Sequence, residues 1–302
     1  MPEPDPHRDV PAPPSTYLVI PYFPGDRGDP KTDRPVPAPA VSYACPSIHV
    51  TGTPAPGVFR PAEPFRVAVE VANFGVGTSA AAVSVIVWWS TATSGFTDLR
   101  WFGQAVVAVP SHGGRATTVP MTNSIPADAG PHVCLLARAT AVNTPLPAGA
   151  GPDPVHDPHW AQLNLVTAPV PPGQAPFPFD FAWSAGNPGA RTARYVVSAR
   201  PTGAVVLRTL ARTLDARPVV ADDLRLVVDG EEGPRVLELE AGESRELRLA
   251  GILGTPLERG TFTAIDIVQE DVTGDGDGDG RIVGAVGLIL RADTGDGRAA
   301  PS

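Results

Sequence analysis

The chain has 302 residues, a net charge of −9 and a pI near 5.1, with 31 glycines, 37 prolines and 42% apolar residues. That length suits about two domains, and the apolar fraction is enough to fill their cores. Without a clustered basic patch the acidic chain is not expected to bind nucleic acid. No run reaches the roughly 18 apolar residues of a membrane span.

Residues 1–40 contain twelve prolines and read as an extended arm. Its opening, MPEPDPHRDVPAPPS, has no apolar core of the kind a signal peptide needs. The expected location is therefore the cytoplasm or, by a non-classical route, the outside; an extracellular protein is the alternative. Within the arm, STYLVIPYF is an apolar cluster that would dock on the first domain or on a partner.

Residues 41–168 read as a first β-sandwich. FRVAVEVAN alternates, and AAVSVIVWWS follows as a more fully buried strand. Trp88 and Trp89 must point to opposite faces, so one anchors the core and the other lies outside or at an edge, beside Trp101 and Phe102. Trp89, Trp101 and Phe102 are thus the candidate binding surface. Cys45 and Cys134 allow one disulfide or none, and a reducing compartment favours two buried thiols. In GPDPVHDPHW, residues Asp153, His156, Asp157 and His159 are of zinc-binding types, but the proline-rich context reads as a surface loop leading to Trp160.

Residues 169–177, within and just after APVPPGQAP, read as a stiff linker. Residues 178–293 form a second sandwich, in which DLRLVVD, PRVLELE and SRELRLA alternate with one wetted face. Residues 294–302 are a polar tail.

The two units repeat each other. Pro64-Phe65 through Asn73-Phe-Gly75 reads against Pro178-Phe179 through Asn187-Pro-Gly189 at an offset of 114 residues, as does Val83-Ser84 against Val197-Ser198. Pro126 through Gly130 reads against Pro256 through Gly260 at an offset of 130, so an insertion separates the two matches. Asn-x-Gly after an alternating strand ends it and turns the chain. The pattern predicts an all-β protein of two tandem immunoglobulin-like antiparallel sandwiches.

At VEVANFGVGT the sequence resembles the CARDB-type domains, bacterial immunoglobulin-like sandwiches. HVCLLARA followed by DPHWAQLNL is similar to actinobacterial proteins built around such a domain. The resemblance covers residues 41–168 best. It implies a sandwich fold and extracellular or surface interaction roles, with no catalytic residues.

One stretch offers a cofactor. In EDVTGDGDGDGRI, Asp275, Asp277 and Asp279 occupy positions 1, 3 and 5 of a calcium loop and Gly280 its sharp turn. The twelfth position is Val286, so Asp271 or Glu270 would have to complete the set. The flanking TAIDIVQED and RIVGAVGLIL are apolar strands, and a Gly-Asp connection between them also reads as a plain hairpin tip, the favoured reading. No G-x-S-x-G, H-E-x-x-H, S-x-x-K or P-loop motif occurs. The expected function is a non-catalytic binding or structural module with a protein partner or larger assembly. A calcium-dependent adhesin or carbohydrate-binding module, and an accessory protein of an enzyme system, are the alternatives. No cofactor other than calcium is expected.

Overall fold

Alternation along the chain sets the first sheet. Val67, Val69 and Val71 are buried while their neighbours Arg66, Ala68 and Glu70 are exposed or half-buried, as a strand with one covered face requires. In the computed structural model, which describes residues 14–38, 40–129, 132–142, 151–273 and 280–292, nine strands build this unit. They are β1 (Leu18–Val19), β2 (Ile48–Thr51), β3 (Pro64–Asn73), β4 (Ala81–Thr91), β5 (Arg100–Val109), β6 (Gly114–Thr117), β7 (Met121–Ser124), β8 (Val133–Ala141) and β9 (Trp160–Leu163). One sheet is centred on β3, flanked by β1 and β2 and by β6 and β7. The other runs β5-β4-β8-β9, all antiparallel. Their inner faces enclose Val69, Val85, Val87, Trp89, Phe102 and Leu135.

The second unit comprises β10 (Leu165–Val170), β11 (Phe177–Gly186), β12 (Ala193–Pro201), helix α1 (Ala204–Leu214), β13 (Arg217–Pro218), β14 (Leu224–Val228), β15 (Arg235–Leu239), β16 (Ser244–Leu253), β17 (Thr261–Asp271) and β18 (Arg281–Ala292). A six-stranded sheet runs β10-β18-β17-β12-β15, with β13 beside β17, and faces the three-stranded sheet β11-β16-β14. In both units the chain passes from one sheet to the other and back in Greek-key order, the path of an immunoglobulin-like sandwich. Both sandwiches of the expected all-β fold are therefore present.

The repeated Asn-x-Gly corners do the same work twice. Asn73 is fully buried; its Oδ1 accepts the Gly75 N–H at 3.0 Å and the Tyr17 N–H at 3.1 Å, and its Nδ2 donates to the Val109 carbonyl. Asn187, also fully buried, accepts from the Gly189 N–H at 2.9 Å and the Tyr195 hydroxyl at 2.7 Å, and donates to the Arg191 and Leu239 carbonyls. Each side chain thus closes its own turn and pins it to the end of an edge strand, β5 or β15. The insertion between the two matched segments contains α1.

Three features differ from the sequence reading. First, Leu165–Val170 pairs in parallel with β18, so the crossing to the second sheet begins before residue 168 and the connector shortens to residues 171–176. Pro169 is tolerated because β10 is an edge strand. Second, the arm is not extended where it is described: it is folded onto the first sandwich, one of the two dockings expected of STYLVIPYF. Leu18, Val19, Ile20 and Tyr22 are buried, and β1 adds to β3. The turn beyond them is locked by the buried Asp26–Arg34 pair at 3.0 Å, with Asp26 also accepting the Tyr22 and Gly28 N–H groups. Third, α1 is a helix in a chain that showed no long helical pattern. Leu207, Leu210 and Leu214, spaced i, i+3 and i+7, are buried against Phe262, Val268 and Ile289 on the outer face of the six-stranded sheet. That second covered face explains why β17 and β18 are apolar on both sides.

The two sandwiches also share a core. Phe96, Cys134, Leu136 and Trp160 of the first pack in one cluster with Trp183, Ile267 and Leu288 of the second. The β4–β5 connection enters the junction: Ser94 and Ser184 exchange backbone hydrogen bonds with their partners across it, and the Ser94 hydroxyl meets the Gln269 amide at 3.0 Å. Gly95 lies against the Gly186 carbonyl and Gly284 against the Ser94 carbonyl so closely that a Cβ on either would overlap the oxygen. Asn164 donates to the Thr93 and Ala285 carbonyls at 2.6 and 2.8 Å and accepts from the Cys134 thiol.

Candidate functional site

Of the three aromatic residues expected at a binding surface, two are corrected by burial. Trp89 and Phe102 are core residues, because the register of β4 and the inward side of β5 carry them between the sheets. Trp101 alone is at the surface, 60% exposed. Trp88, the outward member of its pair, is half-buried beside Trp160, with the Arg138 guanidinium 5.4 and 5.3 Å from the two ring centroids. This cluster is turned toward the second sandwich.

Asp271 lies at the end of β17, where its carboxylate accepts the Thr273 N–H at 2.9 Å. Asp275, Asp277 and Asp279 lie outside the described residues. Among the described residues no group of three or more His, Cys, Asp or Glu side chains is placed to hold a metal ion. Asp153 and His156 do come together, 2.9 Å apart, and Arg281 of the second sandwich closes on the same Asp153 carboxylate. Burial pushes the Asp153 carboxyl upward, but the His156 hydrogen bond and charge, with Arg281, outweigh it and hold it below its ordinary value. Asp157 pairs with His159 at 2.7 Å instead. The four expected polar residues thus form two separate pairs, and the first ties one sandwich to the other.

Cys45 and Cys134 are free, and burial pushes both thiols up to about 12. A thiol that is not ionised is a poor nucleophile. Burial, with the Asp271 charge, likewise raises the Tyr195 phenol to about 12. Two adjoining cavities of about 560 and 540 Å³ share Pro46 and Thr213 and are lined mainly by proline, aromatic and aliphatic groups, including Phe23 and Phe59.

The remaining candidate is the β5 edge. Among the described residues β5 pairs with β4 alone, and its other side is a sheet edge ten residues long. After Arg100 the strand reads WFGQAVVAV, with no charge and no proline. Trp101, Gln104, Val106 and Ala108 face outward; Val106 is 63% exposed. At one end Asn123 donates to the Phe102 carbonyl, and at the other Asn73 donates to that of Val109. Folded proteins blunt such edges with lysine, proline or shortness, and this strand uses none of the three. Val106 is the residue that sequence reasoning missed; the signal was the uncharged run following Arg100.

No family model matches the chain, and no curated protein matches it. Solved structures similar to it include a protein from Bacteroides ovatus ATCC 8483 put forward as carbohydrate binding, at 9% identity and a TM-score of 0.29, covering 43% of this chain and 35% of that one. The calcium binding domain CBD12 of CALX1.1 is similar at 14% identity and a TM-score of 0.20, over 70% of this chain and 76% of that one. The collagen adhesin of S. aureus is similar at 6% identity and a TM-score of 0.23, over 83% and 93%. The chain thus spans about a third of the Bacteroides ovatus protein. At these TM-scores the likenesses bear on neither its fold nor its function. No described helix is long and apolar enough to cross a membrane.

Proposed function

We propose that the protein is a non-catalytic interaction module that takes a protein strand along the free edge of β5, with Trp101 as a neighbouring anchor. The observation that carries this is the edge itself: ten residues, unpaired on one side among the described residues and uncharged from residue 101 to 109. In strand addition the backbone N–H and C=O groups of the edge supply binding, and alternate side chains supply selection. Trp101 adds a large apolar surface at low entropic cost. The shared core and the buried polar junction hold the two sandwiches as one body, so the edge is presented on a stiff frame. The raised thiols support a role without cysteine chemistry.

The test is a titration of the full chain with uncharged, strand-forming peptides, followed residue by residue through amide NMR. Shifts concentrated at residues 103–109 support the edge. Shifts at the cavities near Phe23 and Phe59, or none, would refute it. A glycan whose binding is lost on Trp101→Ala, with residues 103–109 undisturbed, would favour the carbohydrate reading instead. The calcium form of the proposal rests on the sequence of the hairpin tip and is read by melting: a rise in Tm at millimolar calcium that Asp277→Asn abolishes would carry it.

A further inference from the structure

We infer that the strand taken up by β5 is β5 of a second copy, paired antiparallel across a two-fold axis at Val106. The inference rests on the edge reading above and names its partner.

The argument is one of self-complementarity. In an isologous pair, residue i of one copy faces residue j of the other and the reverse, so a strand can pair with itself only if its own sequence tolerates that arrangement. Side chains directly opposite must also lie on the same face of the sheet. With Val106 on the axis, Gln104 faces Ala108 on the outer face, and Gly103 faces Val109 and Ala105 faces Val107 on the inner one. Every pair then matches outward with outward residues and covered with covered or half-covered ones. No charge lies between residues 101 and 111, so no like charges meet. Pro110, which has no N–H to donate, and Arg100, which is held by Asp98 at 3.2 Å, both fall beyond this ladder. The Asn73 and Asn123 side chains mark its two ends by occupying the Val109 and Phe102 carbonyls. The four-stranded sheet β5-β4-β8-β9 would become an eight-stranded sheet running through both copies.

The chemistry of the contact fixes its salt response. It contains no ion pair, while each copy carries a net charge of −9. Added salt therefore strengthens the dimer by screening repulsion between the copies.

The experiment is sedimentation equilibrium of the full chain over a concentration series. Wild type is expected to associate to a dimer. Val106→Lys, which sets two ammonium groups against each other at the axis, should weaken the dimer by about tenfold or more. Val106→Glu should do the same. An equimolar mixture of the two variants should recover association, which misfolding or a contact elsewhere could not produce. A dimer unaffected by Val106→Lys, or a mixture that fails to recover, overturns the inference. If wild type is monomeric throughout, self-pairing is likewise overturned. In that case a synthetic peptide with the sequence of residues 100–110 separates the two readings. Binding that Val106→Lys abolishes leaves the edge reading standing with a different partner; no binding removes both.

Discussion

β5 and β15 hold the same place in the two sandwiches. Each is the outermost strand beside the one that follows the Asn-x-Gly corner, and each has its last carbonyl held by the corner asparagine, Val109 by Asn73 and Leu239 by Asn187. Yet β5 has ten residues and no charge after its first, whereas β15 has five and carries Arg235 and Glu238, with Arg235 paired to Glu231. Two interior bonds of the corner are repeated: the asparagine accepts from the glycine N–H two residues on and donates to the last carbonyl of the edge strand. The rim, which faces water or a partner, is not. What separates the two copies is edge chemistry: β5 has an irregularity opposite Val87 and Trp88 but no charge or proline after Arg100, and this longer, uncharged edge marks where contact is expected.

The largest expected effect tests the two interiors, the shared core at Trp183 and the first sandwich's own at Trp89. Trp183→Ala and Trp89→Ala each remove a buried indole and should cost about 3–5 kcal/mol in a denaturant melt, against about 0.5 kcal/mol or less for Trp101→Ala. An equal cost for all three would mean that Trp101 is not the exposed member. Next come the corners. Asn187→Ala should cost about 2 kcal/mol, because it strands the Tyr195 hydroxyl and the buried Leu239 carbonyl; Asn73→Ala, with fewer bonds to lose, should cost less. The reverse order would show that the two corners are not energetically alike in kind.

A pH dependence sharpens the junction between the units. Burial lowers the His132 pKa from its ordinary 6.5, and its ring lies edge-on to Phe181 at 5.4 Å. The unfolded chain then binds this proton more readily than the folded one, so stability falls as pH drops through about 6.5. His132→Phe should flatten that limb when Tm is followed from neutral pH to about pH 5. A smaller effect of opposite sign is expected at Gln162. Its amide is fully buried with neither end partnered among the described residues, so Gln162→Met should stabilise by about 1 kcal/mol. The smallest effect on stability is the most direct test of the opening comparison. Arg235→Val with Glu238→Val strips β15 of its charges; the fold should change by about 0.5 kcal/mol or less, while self-association measured by light scattering should rise.

The class of fold was legible because alternation and corner chemistry are local. Val67, Val69 and Val71 announce a covered face, and Asn73 and Asn187 announce a turn, without reference to distant residues. The candidate site was legible only in part. Trp101 was named, but so were Trp89 and Phe102. Trp89 is in phase with the buried Val83, Val85 and Val87, a signal within the strand itself. Phe102 is turned inward beside Gly103 at the irregularity opposite Val87 and Trp88, which only the register against β4 decides. The helix was missed because α1 is only about three turns long, with three buried leucines, in a chain otherwise read with a period of two.

By itself, then, the order of amino acids determined the strands, the paired corners and the duplicated plan, because these depend on backbone freedom and on the two-residue alternation of side chains. Only tertiary structure decided that Leu165–Val170 joins the second sheet, that α1 roofs it, that the sandwiches share one core, and that β5 is left with an open side. Those outcomes depend on which apolar surfaces meet across more than a hundred residues of chain, and no local pattern encodes such a meeting.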